Sequence, residues 1–126
     1  MFGGEIIRQR ISGYLKNITD NNCEQINENA ILKKEQLSYF QNNVKHTILF
    51  KEKEIFLTRE SNEFKNVLTF SKNRSILSKY IIKENNVCVY IEVKTLELKY
   101  NNKELYIKYK IIDSDTIYEY KIILED

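Results

Sequence analysis

Arg59 is the residue in this chain best suited to chemistry. It lies at the end of the run Ile55-Phe56-Leu57-Thr58-Arg59. In an extended strand Ile55, Leu57 and Arg59 share one face, and Phe56 and Thr58 share the other. If the Ile55/Leu57 face turns inward, the guanidinium turns inward with it. A buried guanidinium must be paired or hydrogen-bonded. Its planar fork of donors matches a carboxylate or a phosphate. The competing reading is a structural Arg at a strand end, bonded to carbonyls or a Glu, or reaching water along its stem. The same alternation puts Thr95 and Tyr109 on the apolar faces of later strands. A few placed polar groups among apolar walls are the usual composition of a small-molecule site.

The other reactive residue types are sparse. His46 is the single His and alternates in phase with Val44, Ile48 and Phe50. It reads as a wall residue, since no acid–base partner is visible for it. Cys23 sits in a polar segment, and Cys88 reads as wall packing. Two Cys and one His cannot make a four-ligand zinc site without distant carboxylates. No G-x-S-x-G, H-E-x-x-H or C-x-x-C occurs. Lys94, Lys99, Lys108, Lys110 and Lys121 interleave with Tyr90 and Tyr106, a pattern that can clamp single-stranded nucleic acid. Glu92, Glu97 and Glu119 lie among them as cross-strand partners for an ordinary solvated face.

Composition narrows the classes. The 126 residues suit one domain, residues 1–126, with the first four or so expected to be disordered. The net charge of +2 gives no strong field for nucleic acid or an anionic membrane. Gly3, Gly4 and Gly13 are the only glycines and there is no Pro, which excludes collagen-like chains and glycine-rich phosphate loops. No stretch approaches the roughly 20 apolar residues of a membrane helix, and Met1–Glu5 lacks the form of a signal peptide. The expectation is a cytoplasmic protein with free thiols.

The elements that must position these residues read as strands. Turn signals fall at Asn42-Asn43, near Glu52, and at Ser61-Asn62, Lys72-Asn73, Asn85-Asn86, Asn101-Asn102 and Asp113-Ser114-Asp115. Spacing of about ten residues is that of successive hairpins in an all-β fold. Fourteen Asn supply the left-handed turn positions that glycine cannot fill here. Leu105/Ile107/Tyr109/Ile111, Tyr118/Tyr120/Ile122/Leu124 and Val87/Val89/Ile91/Val93 form the apolar faces of three late strands. After Thr95 the phase slips to Leu96/Leu98/Tyr100, which predicts a β-bulge or sharp bend in a strand spanning 86–100. In the first third, Glu5–Leu15 reads as a weak strand, Asn17–Glu24 as a polar loop, and Ile26–Leu32 as a strand. Residues 30–39 read as strand, with a short helix as the alternative. An antiparallel barrel closed by its terminal strands abolishes exposed edges; a two-sheet sandwich is the competing architecture.

From Gln36 onward the order of short segments resembles a known family. The pieces are Leu37-Ser38-Tyr39, Thr47-Ile48-Leu49, Ile55-Phe56-Leu57-Thr58-Arg59, Leu68-Thr69-Phe70 and Tyr80. They continue with Val93-Lys94-Thr95-Leu96-Glu97-Leu98 and Leu105-Tyr106-Ile107-Lys108-Tyr109. Together they look like the YwiB-like proteins of low-GC Gram-positive bacteria, which are uncharacterised. The resemblance implies a calycin-like (lipocalin-like) barrel and supplies no activity. It adds Tyr39 and Tyr80 to the candidate site. The chain departs from the family where Phe40-Gln41 follow Tyr39, where Glu60-Ser61 follow Arg59, and where Ile81-Ile82-Lys83-Glu84-Asn85 follow Tyr80.

The sequence therefore predicts an all-β antiparallel meander closed into a barrel of eight to ten strands. The leading function is binding of a small, largely apolar ligand with a polar or anionic group, held by Arg59, Tyr39, Tyr80, Thr95 and Tyr109. The alternative is a protein–protein interaction module or homodimer with a filled barrel. Enzyme and nucleic-acid readings rank below these. No catalytic residue, cofactor or metal is called for, and no membrane partner is expected. Whether the barrel is filled or hollow stays open, since about eight strands permit either.

Overall fold

A computed structural model describes residues 6–126; the expectation for the first four residues lies outside that range. Ten strands follow one another: β1 Ile6–Asn17, β2 Asn22–Lys33, β3 Gln36–Gln41, β4 Val44–Phe50, β5 Ile55–Glu60, β6 Phe64–Phe70, β7 Ser75–Ile82, β8 Val87–Tyr100, β9 Glu104–Ile111 and β10 Thr116–Leu124. Each pairs antiparallel with its neighbours in sequence, and β1 also pairs with β10, so the sheet closes into a barrel. Residues 30–39 hold strand, turn and strand, with no helix. The polar segment Asn17–Glu24 is shorter as a loop than its composition indicated. Only residues 18–21 turn, because Asn22, Cys23 and Glu24 pair with Asn17, Lys16 and Leu15.

Asparagine makes the turns. Of the seven non-glycine residues with positive φ among the described residues, five are Asn: Asn21, Asn42, Asn43, Asn73 and Asn86. At Asn42 and Asn43 φ is 53° and 64°. Two successive left-handed residues form the type I′ turn whose twist matches a two-residue hairpin. That turn fixes the β3–β4 register, Gln41 opposite Val44 and Tyr39 opposite His46.

The interior is built in rows across the strands. Leu37, Ile48, Leu57 and Leu68 face one another in register across β3 to β6, and all four are buried. Ile55 and Phe70 form the next row toward one end of the barrel. On β9 and β10, Leu105, Ile107, Tyr109, Tyr120 and Ile122 are buried, as their alternation predicted. The phase slip in β8 is a register shift between Thr95 and Glu97. It lets this 14-residue strand pair with β7 through its first half and with β9 through its second. The other end of β8 departs from the alternation. Val87 and Val89 are exposed, as are Cys88 and Tyr90 on the opposite face. The tip of the β7–β8 hairpin therefore stands clear of the wall, and alternation there no longer separates inside from outside.

Closure depends on Gly13. It pairs with Ile122 across the β1–β10 seam. A Cβ at this position would lie 1.8 Å from the Lys121 carbonyl oxygen. Only a residue without a side chain lets the two backbones approach so closely.

Candidate functional site

One step along the strands from the Leu37–Leu68 row lies a row of different chemistry. Tyr39 pairs with His46, His46 with Arg59, Arg59 with Asn66, and Asn66 with Tyr80. Because side chains two positions apart share a face, this row points into the same interior as the apolar one below it. Tyr39 and His46 stack with ring centroids 4.6 Å apart and planes 3° from parallel. Tyr80 stacks on Phe64 at 5.4 Å.

Two tyrosines reach this row from the far wall. The Tyr120 hydroxyl lies 2.5 Å from the Tyr39 hydroxyl, a bond between β10 and β3 across the lumen. Tyr109 packs against Phe70 at 4.9 Å and Tyr118 at 5.2 Å, and its hydroxyl neighbours the Arg59 guanidinium. These aromatic rings fill the middle of the barrel. Beyond them, toward the β1–β2, β3–β4 and β5–β6 turns, a cavity of about 260 Å³ remains. Leu15, Ile26, Val44 and Phe64 form its apolar wall; Tyr39, Tyr120, His46 and Arg59 form its floor; Glu24, Gln41 and Asn42 stand toward the turns. The barrel is thus filled in its middle and hollow toward this end. A larger hollow of about 490 Å³ runs along Arg8–Arg10 and Asn29–Ile31. There Arg10 is already bonded to Asn27 and Asn29, and none of the unpartnered buried polar atoms among the described residues lies on this lining.

The electrostatics of the cavity are unbalanced. Burial pushes the phenols of Tyr39, Tyr109 and Tyr120 upward, Tyr39 to about 12, so all three are neutral near pH 7. Burial first, and then the Arg59 charge, push His46 down to about 4, so it too is neutral. Burial alone would lower the guanidinium pKa, but the neighbouring Tyr109, Tyr120 and Tyr39 hydroxyls outweigh it and the pKa is raised. Arg59 keeps its charge, and among the described residues no carboxylate forms an ion pair with it.

Its donors are also unmet. Arg59 Nε and Nη2 are shut off from bulk water and bond to no protein group. These two nitrogens form the side-on fork of the guanidinium, whose two N–H bonds run parallel and grip a carboxylate with two hydrogen bonds. The row partners on either side carry orphaned atoms as well, Nδ1 of His46 and Oδ1 of Asn66. Buried polar groups in native proteins are almost always bonded, to protein or to water, so three adjacent residues in this row have hydrogen-bonding capacity that no protein group fills.

The structure brings together Arg59, Tyr39 and Tyr109. Tyr80 stands behind Phe64 at the edge of the cavity. Thr95 is elsewhere, at the opposite end of the barrel. Its Oγ1 accepts from the Ser71 backbone N–H at 3.2 Å, and its carbonyl and amide tie down Asn73 and Arg74. The residues not named for the site from the sequence are His46, Asn66, Gln41, Glu24 and Tyr120, although alternation puts His46 and Tyr120 on apolar faces. His46 and Asn66 follow from hairpin register. Counting back from the Asn42-Asn43 turn sets Tyr39 opposite His46, and the next two hairpins carry the row on to Arg59 and Asn66. Cys23 and Cys88 are free and exposed.

Fold and cavity define a class: a closed ten-stranded antiparallel meander with a cationic, tyrosine-floored pocket toward one end. The chain belongs to the family described as Domain of unknown function (DUF1934), whose match spans residues 15–124. It is also similar to a solved structure, that of ywiB protein from Bacillus subtilis. That likeness has 18% identity and a TM-score of 0.66, and covers 99% of this chain and 94% of the other. The YwiB-like resemblance read from the segment order is thereby upheld at the level of fold. No curated protein matches the chain.

Proposed function

We propose that this barrel binds a small molecule that presents an anionic group to Arg59 and rests its apolar body on Leu15, Ile26, Val44 and Phe64. The single observation that carries this reading is the side-on fork of Arg59, charged, shielded and without a protein partner. Leaving buried donors unmet costs about 1–3 kcal/mol each, a cost that a bound anion removes. Arg59 lines the cavity, and a modest turn of the guanidinium offers the fork to an anion entering there. The volume limits the guest to roughly nine waters' worth of space at about 30 Å³ each, well below a long-chain lipid.

The test is native mass spectrometry of the protein from its own host, beside a denatured control. It is paired with thermal melts in millimolar short-chain carboxylates and inorganic phosphate. A small anionic mass lost on denaturation, or a dose-dependent rise in Tm that vanishes in Arg59→Met, is the expected result. No bound mass and no anion-dependent rise in Tm would overturn the reading.

A second reading rests on the β7–β8 hairpin, where Leu77, Val87, Val89 and Tyr90 are exposed together. An apolar, projecting hairpin is suited to contact with another protein or a second copy of this chain. Sedimentation of wild type against Val89→Lys tests it; a monomer at all concentrations removes the homodimer form of this reading.

A further inference from the structure

The polar groups toward the turns ask for the opposite chemistry from the floor. Gln41 is 9% exposed and lines the cavity. Its Nε2 donates to the Glu24 carboxylate at 2.6 Å and to the Gln25 carbonyl at 3.3 Å. Both partners can only accept, so the orientation of the amide is fixed: the NH2 faces them and Oε1 faces away. That Oε1 is buried and has no donor. Glu24 shares the inward face of β2 with the buried Ile26 and Ala30. It lines the cavity with only one of its oxygens engaged by Gln41. The outer part of the pocket therefore offers an orphaned amide oxygen and, beside it, a carboxylate with one oxygen held by Gln41 and the other without a protein donor among the described residues. The Tyr39 hydroxyl lies between the two regions, feeling the charges of both Arg59 and Glu24.

Resting on the anion reading of the same pocket, we infer that the ligand is amphoteric: an anionic group seated on the Arg59 fork and an amine or similar N–H donor, cationic at neutral pH, seated on Gln41 Oε1 and Glu24. A plain carboxylate satisfies only the floor. A plain amine satisfies only the outer acceptors and leaves the Arg59 charge unmatched. A molecule with both ends joined by a short apolar link satisfies both, and its two charges cancel those of Arg59 and Glu24.

The probes are three matched series: the ω-amino acids from β-alanine to ε-aminocaproate, the corresponding unsubstituted carboxylates, and the corresponding alkylamines. Each is titrated into the intact protein by calorimetry and thermal melt. At the best chain length the ω-amino acid is expected to bind about three- to tenfold tighter than its carboxylate, the scale of a partly exposed charged hydrogen bond. Glu24→Gln should erase that advantage, so that the ω-amino acid binds no tighter than its carboxylate. Arg59→Met should abolish the binding of both. Equal binding of carboxylates and ω-amino acids would overturn the amphoteric inference while the anion site stands. Tighter binding of amines than of either other series would overturn both, as would no binding by any series.

Discussion

Replacing Arg59 by Met should make the empty protein more stable while destroying anion binding. Met fills a similar volume without charge or donors. The guanidinium carries a full charge into the barrel with no carboxylate paired to it, and two of its nitrogens bond to nothing. Two orphaned donors cost about 2–6 kcal/mol together. The substitution leaves the Tyr109 hydroxyl without its cationic neighbour, which returns about 1–3 kcal/mol. Taken at their midpoints, about 4 against about 2 kcal/mol, these leave a net gain of about 2 kcal/mol, or about 1–3 kcal/mol with ordinary scatter, within the range seen when buried charges give way to well-packed apolar residues. For 126 residues, an unfolding entropy of about 2.1 cal/mol/K per residue makes 1 kcal/mol worth about 4 °C. Arg59→Met should therefore melt about 4–11 °C higher than wild type in anion-free buffer, followed by far-UV circular dichroism. Added carboxylate should raise the wild-type Tm and leave the variant unmoved. A variant that melts below wild type would refute the reasoning. It would show that the guanidinium is a strut holding Tyr109, Tyr120 and Tyr39 in place, its apparent vacancies filled by the protein itself.

Four further outcomes are expected. His46 is held at about 4 in the folded chain against 6.5 unfolded, so only the unfolded chain takes up its proton as pH falls through 6.5. This contribution is absent above that range, grows to about 2–3 kcal/mol of lost stability near pH 4, and should disappear from the pH dependence of Tm in His46→Phe. Tyr120→Phe should cost about 1–3 kcal/mol by leaving the Tyr39 hydroxyl buried and unbonded. The double variant with Tyr39→Phe should lose less than the two singles summed, as measured by urea unfolding. Thr95→Val should destabilise by a similar amount through the Ser71 amide, with carboxylate titration unchanged. Gly13→Ala should lower Tm by about 4–12 °C, since a Cβ 1.8 Å from Lys121 O forces the seam apart at about 1–3 kcal/mol.

The strands and the bulge were legible because they rest on local rules. Alternation located the inner faces of β5, β9 and β10, and the phase slip after Thr95 located the bulge to within two residues. Alternation carries no inward signal where neither face of a strand is buried. Val87 and Val89 alternate as though they lined the core, yet the hairpin tip carries them into solvent. Inward direction was also weaker than position along the barrel axis. Thr95 does point inward, but on β8, at the end away from Arg59, and nothing in a strand's own period reports how far along the axis a residue lies. Register reports it, and register was available through the Asn42-Asn43 turn. Counting from that turn sets His46 between Tyr39 and Arg59. Tyr120 and Glu24 were out of reach of such counting, because they come to the pocket only when β1 and β10 close the sheet.

That closure leaves the ten strands with unequal joints. Nine neighbouring pairs are tied covalently by short turns, and once parted they find each other again at once. The β1–β10 pair has no such tether, and its partners lie about a hundred positions apart in the chain. Bringing such distant segments together is the slow part of folding, so the barrel is expected to assemble as a curling ribbon whose two margins meet last. For the same reason it opens there first. An opened ribbon carries two complementary margins, and the margin of one molecule fits that of the next as well as its own. Two ribbons can then exchange margins and close as an intertwined pair, or continue head to tail without end. The tight approach at Gly13 is the same in either case; what favours a molecule's own margin is the chain that joins the two and holds them at high effective concentration.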